Sequence, residues 1–266
     1  MTNIREDEKL NVLNHSCAHL LANAVKNLYP HALFWVGPVI DEGFYYDIDL
    51  GDTVITESDL EQIEKEMKKV SKDGKRIYRE ELSREEALLK FKNDPYKIDL
   101  INNMDDNTVI SCYTQGNFTD LCRGPHVDTV KEIKYFKLLK VSGAYWKGDS
   151  NNKMLQRIYG ICFDTEERLN GYLNMLEEAK KRDHKKLGKE LDLFMMSEYG
   201  PGFPFFLPKG MIIRNILENF WYDEHTKEGY SFIKTPTMLN RDLWETSGHW
   251  LNYRENMYTS EIDNKE

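Results

Sequence analysis

No apolar run in the 266-residue chain approaches the ~20 residues of a membrane span, so no membrane partner is expected. The opening Met1-Thr2-Asn3-Ile4-Arg5-Glu6-Asp7-Glu8-Lys9 lacks the apolar centre of a secretory leader. Cysteine is scarce, 4 residues with no compact disulfide framework, which in a chain this long fits a reducing cytoplasm. Positive charge is outweighed, 36 Lys and Arg against 45 Asp and Glu for a net charge of −9. That balance argues against indiscriminate nucleic-acid binding, although a partner can still dock on a local basic patch. What the chain does have is 40% hydrophobic and 12% aromatic residues, enough for packed cores and too much for disorder. Its length exceeds the usual single domain, so two are expected.

The chemistry-bearing side chains concentrate in two stretches, His15-Ser16-Cys17-Ala18-His19 and Leu121-Cys122-Arg123-Gly124-Pro125-His126. The first falls in a helix predicted over 10–29, with the apolar stripe Leu10, Leu13, Cys17, Leu20, Leu21, Ala24 and Leu28. Residues four apart share one side of a helix. At about 100° per residue, His15 and His19 fall almost opposite the stripe. The plain alternative to a site is therefore a pair of exposed surface histidines. Gly124-Pro125 forces a turn between Cys122 and His126. Such a set suits three chemistries: a metal site, a nucleophile with its base, or a polar cleft that positions water.

Around these stretches the pattern alternates. Strands are predicted over 33–36 and 43–50, the second carrying Phe44-Tyr45-Tyr46, whose plain reading is sheet packing. A helix over 56–72, capped by Ser58 with Glu61, a strand over 75–80 and a short helix from Ser83 to about 92 follow. Asp94-Pro95 breaks that helix, and 96–100 is expected to be extended, with Lys97 able to hold a carbonyl or an anion. Strands over 109–113, 135–141 and 155–163, with a loop at 119–126 and a turn at 143–149, complete an α+β domain over residues 1–164 with a largely antiparallel sheet. Asp164 with Glu167 predicts a long linker helix, 165–190 in all and regular to about 186. Lys180, Lys181, Arg182, Lys185, Lys186 and Lys189 make its end basic, a solvated connector or a phosphate contact. Residues 191–266 hold a helix over 209–228 that stops at Gly229, then an extended run over 230–239. One helix, one strand and a fragment cannot bury a core, so this second domain is expected to be incomplete.

His15-Ser16-Cys17-Ala18-His19-Leu20-Leu21, Leu121-Cys122-Arg123-Gly124-Pro125-His126-Val127 and the run from Gly143-Ala144-Tyr145-Trp146 to Ile158-Tyr159-Gly160 resemble the editing domain of bacterial threonyl-tRNA synthetases, with related motifs in alanyl enzymes. Lys181-Arg182-Asp183-His184 and Trp244-Glu245-Thr246-Ser247-Gly248-His249-Trp250 are similar to the threonyl branch. Residues 229–239 resemble motif 1 of class II synthetases, the helix-strand element of their dimer interface. The resemblance implies an editing domain, a linker helix and the start of a class II catalytic core, an antiparallel sheet with helices. The resemblance does not extend to the family's ubiquitin-like N-terminal domain, which is not expected in this chain. Motifs 2 and 3, the ATP-holding arginines, the catalytic zinc ligands and the anticodon domain would follow residue 266, so ATP-dependent charging is not expected of this chain.

A threonine site rejects serine weakly, because one methyl group is worth only ~1–3 kcal/mol, and a second site that hydrolyses the smaller ester corrects the error. The resemblance therefore implies a threonine–tRNA ligase part that hydrolyses Ser-tRNA(Thr) by attack of water on the aminoacyl ester. Its partner is the tRNA(Thr) acceptor end, and the full-length family is homodimeric. His15, His19, Cys122 and His126 match the family's editing residues, with Lys97 and Asp120 at accompanying positions. His15 with Lys97 is assigned to water, His126 and Cys122 to the substrate end, and Asp120 to the amino group. Tyr46 and Arg123 are assigned to substrate binding. No cofactor is required for editing in this branch. Zinc on His15, His19, Cys122 and His126 is sound in ligand type and is used by the alanyl relatives, while ATP and a catalytic zinc belong to the full-length enzyme. Cys122 as a covalent nucleophile needs a lowered thiol pKa and a base. The competing function is a non-catalytic module that binds tRNA through the basic linker or pairs through 229–239.

Overall fold

The computed structural model describes residues 3–105 and 108–260, and residues 261–266 of the expected second domain lie outside them. Two compact units result, Met1–Lys181 and Arg182–Glu266.

The first unit is organised around α1 (Glu8–Leu28), which starts where the Asp7 carboxylate accepts from Leu10 N at 3.0 Å. A carboxylate at that position satisfies an otherwise unpaired amide and complements the helix dipole. The apolar stripe from Leu10 to Ala24 is buried against an antiparallel sheet of β1 (Leu33–Phe34), β2 (Val39–Ile40), β3 (Gly43–Asp49), β7 (Tyr135–Tyr145) and β8 (Met154–Phe163). The order is β1-β3-β8-β7, with β2 also paired to β3. Asn14 joins helix to sheet: Nδ2 donates to Cys162 O at 2.8 Å and Oδ1 accepts from Cys162 N at 2.9 Å. Opposite Phe44 in the ladder stands Gly160, where a Cβ would lie 2.5 Å from the Phe44 ring. Only glycine lets that ring lie flat there.

The other side of α1 is covered too. Ser16, Ala18, His19, Ala22 and Asn23 are buried. A second antiparallel sheet of β4 (Ile77–Leu82), β5 (Ile110–Gln115) and β6 (Phe118–Leu121), ordered β4-β5-β6, meets this side through Gln115, which donates to His19 O and whose carbonyl accepts from Asn23 Nδ2, and through Asp120 beside His19. The reading of His15 and His19 as surface residues therefore fails, because the helix lies between two sheets. α2 (Leu60–Asp73) packs beside α1, burying Ile63 and Met67.

The architecture is α+β with antiparallel sheets, as the sequence predicts, with local differences. Residues 96–100 are helical, within α4 (Pro95–Asn102). Asp94 accepts from the Tyr96 and Lys97 amides, so Asp-Pro here is a cap and a first helical position rather than a break. The short helix after Ser83 is α3 (Arg84–Lys90), with its capping box. The helix expected from 56 is preceded by a turn capped by Thr56 with Asp59, not Ser58 with Glu61. The expected loop at 119 begins as strand β6, and β7 runs through the expected turn as far as Tyr145. The long helix after Asp164 is two helices, α5 (Glu166–Lys181) and α6 (His184–Glu190), because Asp183 caps a new start on the Lys185 and Lys186 amides.

The second unit holds α6, the hairpin β9 (Phe194–Met196) and β10 (Pro204–Phe206), α7 (Pro208–Lys227), α8 (Arg241–Thr246) and α9 (His249–Tyr253). Gly229 at φ 82° ends α7 as expected. The run 230–239 pairs with no strand among the described residues. Ile212, Ile216, Leu217 and Phe220 of α7 are 60–64% exposed, so this helix has no core to face within its own unit.

Candidate active site

Three elements bring the sequence-predicted residues together. α1 supplies His15 and His19 one turn apart, β6 and the loop after it supply Asp120, Cys122, Arg123 and His126, and α4 supplies Lys97. Tyr46 reaches in from β3. All but His126 line one cavity of about 330 Å³, together with Trp35, Gly37, Pro38 and several apolar side chains. Arg123 sits exposed at this cavity.

The thiol of Cys122 is the meeting point of the imidazoles, with Sγ 3.1 Å from His15 Nε2 and 3.2 Å from His126 Nε2. The three rings lie 4.3 to 5.4 Å apart, centre to centre. Behind them, Ser16 Oγ donates to Val12 O and sits 3.1 Å from His126 Nδ1, and it accepts from Val127 N at 3.0 Å. The loop after Cys122 folds tightly because Gly124, at φ 74°, lies where any Cβ would collide with the Tyr113 hydroxyl. Tyr113 in turn packs its ring 4.4 Å from His126.

Deeper in, Asp120 and Lys97 form an ion pair at 2.5 Å, with side chains only 2% and 3% exposed. Asp120 Oδ1 also accepts from Leu121 N, Oδ2 accepts from the Tyr46 hydroxyl, and His19 Nε2 stands 3.7 Å from Oδ2. Lys97 donates a second proton to Trp35 O at 2.9 Å, so among the described residues one of its three protons has no partner.

Burial sets the protonation states. It is the main cause that lowers the pKa of all three histidines, His19 most deeply enclosed. His15 adds to the effect at His19, and His19 then His15 add to it at His126, since each imidazolium would repel the others. All three are neutral at physiological pH. Burial pushes the Cys122 thiol up to about 12, against the opposing pull of the Gly124 amide. Tyr46 is raised well above its ordinary value by burial and then by the Asp120 charge. At neutral pH the cluster thus presents uncharged imidazoles and a protonated thiol beside one buried ion pair.

The donor set fits a metal ion. Ligand atoms of His15, His19, Cys122 and His126 lie within 4.8 Å of one another, and a tetrahedral zinc with bonds of ~2.0–2.3 Å holds its ligands about 3.4–3.6 Å apart. The arrangement is compatible with zinc in ligand type and in spread.

Sequence reasoning missed Ser16, Trp35 and Tyr113. Ser16 lay inside the quoted histidine motif but counted only as a spacer. Trp35 acts through its carbonyl, which no side-chain pattern reveals. Tyr113 is brought to His126 by the fold, with no local signal.

Residues 110–159, which span β5 to β8 and include Asp120, Cys122 and His126, match the family described as the threonyl and alanyl tRNA synthetase second additional domain. The chain therefore carries a domain of aminoacyl-tRNA synthetases. Along its whole length it is 55% identical to the threonine–tRNA ligase of Clostridium tetani, over 278 aligned residues covering 100% of this chain and 43% of that ligase. To that of Clostridium botulinum strain 657 it is 56% identical, covering 99% of this chain and 43% of the ligase. Along its whole length the chain is thus similar to threonine–tRNA ligases, and it spans less than half the length of the curated relatives it matches.

Proposed function

We propose that the first unit proofreads, hydrolysing serine from Ser-tRNA(Thr) by attack of water on the aminoacyl ester. The observation that carries this reading is the convergence of His15, His19 and Cys122, with His126 behind them, on a cavity beside a buried Lys97–Asp120 pair. The similarity of this whole chain to part of threonine–tRNA ligases supports that substrate class.

The chemistry needs a held water, a charge for the developing oxyanion and a place for the amino group. Neutral His15 accepts a hydrogen bond from water without first losing a proton, and the third Lys97 proton supplies the electrostatic stabilisation. Cys122, protonated near neutrality, is not a thiolate nucleophile. It holds the substrate end, with His126, which does not line the cavity, bonded behind it. Asp120 already binds Lys97, Leu121 N and the Tyr46 hydroxyl, and the remaining lone pair on Oδ2 is available to the serine ammonium. Arg123 meets the acceptor-end phosphate as an exposed cation. Tyr46 bounds the pocket that admits serine.

If zinc binds, His15, His19, Cys122 and His126 hold it. With four protein ligands such an ion is structural, since zinc that activates water keeps one position open. ATP and a second zinc belong to the charging reaction of whole ligases. No helix among the described residues is long and apolar enough to cross a membrane, and the compartment we infer is the cytoplasm. The exposed apolar face of α7 supports assembly of the second unit, as a homodimer through 229–239.

The test is deacylation of Ser-tRNA(Thr) by the purified chain beside a His15→Ala/His19→Ala variant. Serine release that the variant has lost supports the reading. Equal release by both removes the histidines from the mechanism.

A further inference from the structure

Ser16 sits on α1 between His15 and His19, which line the cavity, and its own side chain is fully buried. The hydroxyl oxygen meets three partners: Val12 O at 2.8 Å, Val127 N at 3.0 Å and His126 Nδ1 at 3.1 Å. A hydroxyl brings one proton and two acceptor lone pairs, so these contacts use everything it has. Only one assignment of protons satisfies all three. Val12 O can only accept, so the contact with it holds the Ser16 proton. The Val127 amide can only donate, and it takes one lone pair. The remaining lone pair faces His126 Nδ1, and the proton between them must come from the imidazole. Turning the Ser16 proton to His126 instead would leave two bare oxygens 2.8 Å apart at Val12.

A neutral imidazole carries one N–H, and the hydrogen bond made by one ring nitrogen decides the state of the other. With the proton on Nδ1, His126 Nε2 presents a bare lone pair 3.2 Å from Cys122 Sγ. The thiol has a single proton to give, and two rings stand ready for it, His126 and His15, the latter with Nε2 at 3.1 Å.

We infer that Ser16 is a positioning residue: it holds His126 in the Nδ1–H tautomer and so keeps a bare Nε2 lone pair turned on the Cys122 thiol. The S–H is drawn to the loop side of the cluster, and the His15 ring stays clear of it. A proton shifted to His126 Nε2 would reverse this polarity. The ring would then donate to sulfur, and the S–H would turn to His15, occupying the ring that the hydrolase reading assigns to water. The tautomer itself stands apart from that reading, whereas its bearing on the reaction rests on it.

The experiment is long-range proton–nitrogen correlation NMR on the whole chain, chelator-treated and carrying nitrogen-15 histidine, at neutral pH. A His126→Gln variant assigns the signals. The parent chain should show His126 protonated at Nδ1 and bare at Nε2. In Ser16→Ala the acceptor is gone, and the proton should move to Nε2 in a large share of molecules. Ser16→Thr keeps a hydroxyl and should keep the parent tautomer. A parent His126 protonated at Nε2 overturns the inference without recourse to any variant, and so does a tautomer that Ser16→Ala leaves unchanged. In single turnover with Ser-tRNA(Thr), Ser16→Ala should release serine about tenfold more slowly at saturation, since a catalytic-site imidazole loses its orienting partner. The chain concentration that gives half the maximal rate should not move, and Ser16→Thr should recover the rate. Equal rates in the parent and in Ser16→Ala would remove Ser16 from the positioning role. If the parent itself releases no serine, the hydrolase reading fails, and the nitrogen shifts alone decide the tautomer.

Discussion

Replacing Lys97 by Met removes one charge from the cluster while keeping a side chain of similar length in the same space. Asp120 would then keep the Tyr46 hydroxyl and the Leu121 amide, but no cation within bonding distance, at a site where its side chain is 2% exposed. Leaving one partner of a buried pair uncompensated costs about 3–5 kcal/mol. For a unit of this size each kcal/mol lowers Tm by about 2–4 °C, so Lys97→Met should unfold roughly 6–20 °C below the parent. Adding Asp120→Asn should restore much of the loss, because a neutral amide can still meet Tyr46 and needs no cation. The assay is thermal unfolding of the four members of this cycle, followed by near-ultraviolet circular dichroism, which reports the packed aromatics Tyr46 and Trp35. Coupling of at least ~2 kcal/mol is expected for charges in direct contact. A fall of less than about 3 °C in Lys97→Met, or additive single effects, would refute the view that this pair is desolvated.

Other outcomes follow from the same cluster. In chelator-treated protein the unfolded histidines titrate near ~6.5, while burial holds the folded ones lower. Below that pH only the unfolded chain gains these protons, so stability is level above ~6.5 and falls beneath it, by up to about 1.4 kcal/mol per pH unit for each histidine. Urea unfolding at several pH values between 7.5 and 5 checks this, and a flat profile contradicts it. Because the Cys122 thiol is pushed up to about 12, its alkylation by iodoacetamide should be slow at pH 7 and still climbing about tenfold per pH unit between about 9.5 and 10.5, where an unperturbed thiol of pKa ~8.5 levels off. Zinc must displace that proton, so its affinity should rise about tenfold per pH unit between 6 and 8, measured against a chromophoric chelator. Saturating zinc should slow any seryl ester hydrolysis, since the four-ligand site leaves no position for water.

The helix-strand order and the antiparallel sheets were legible because their signals are local: the α1 stripe, the Ser83 capping box, the alternation in β7 and β8. So was the pairing of the histidine and cysteine stretches, through spacing and family motifs. Asp94-Pro95 was misread because the same dipeptide ends one helix and begins the next, and only the Asp94 bonds to Tyr96 and Lys97 decide between them. The surroundings of His15 and His19 were left open by the sequence for a different reason. Periodicity identifies one buried face of a helix, but α1 has two, and the second is polar and small rather than apolar. The Lys97–Asp120 and Ser16–His126 contacts join residues far apart in sequence, where no local pattern can announce them.

The most direct test of the account compares single-turnover release of serine and of threonine from the same tRNA(Thr), with the purified chain in excess. The account predicts fast serine release and threonine release near the spontaneous rate. Release of both amino acids at similar rates, or of neither at high enzyme concentration, would contradict it.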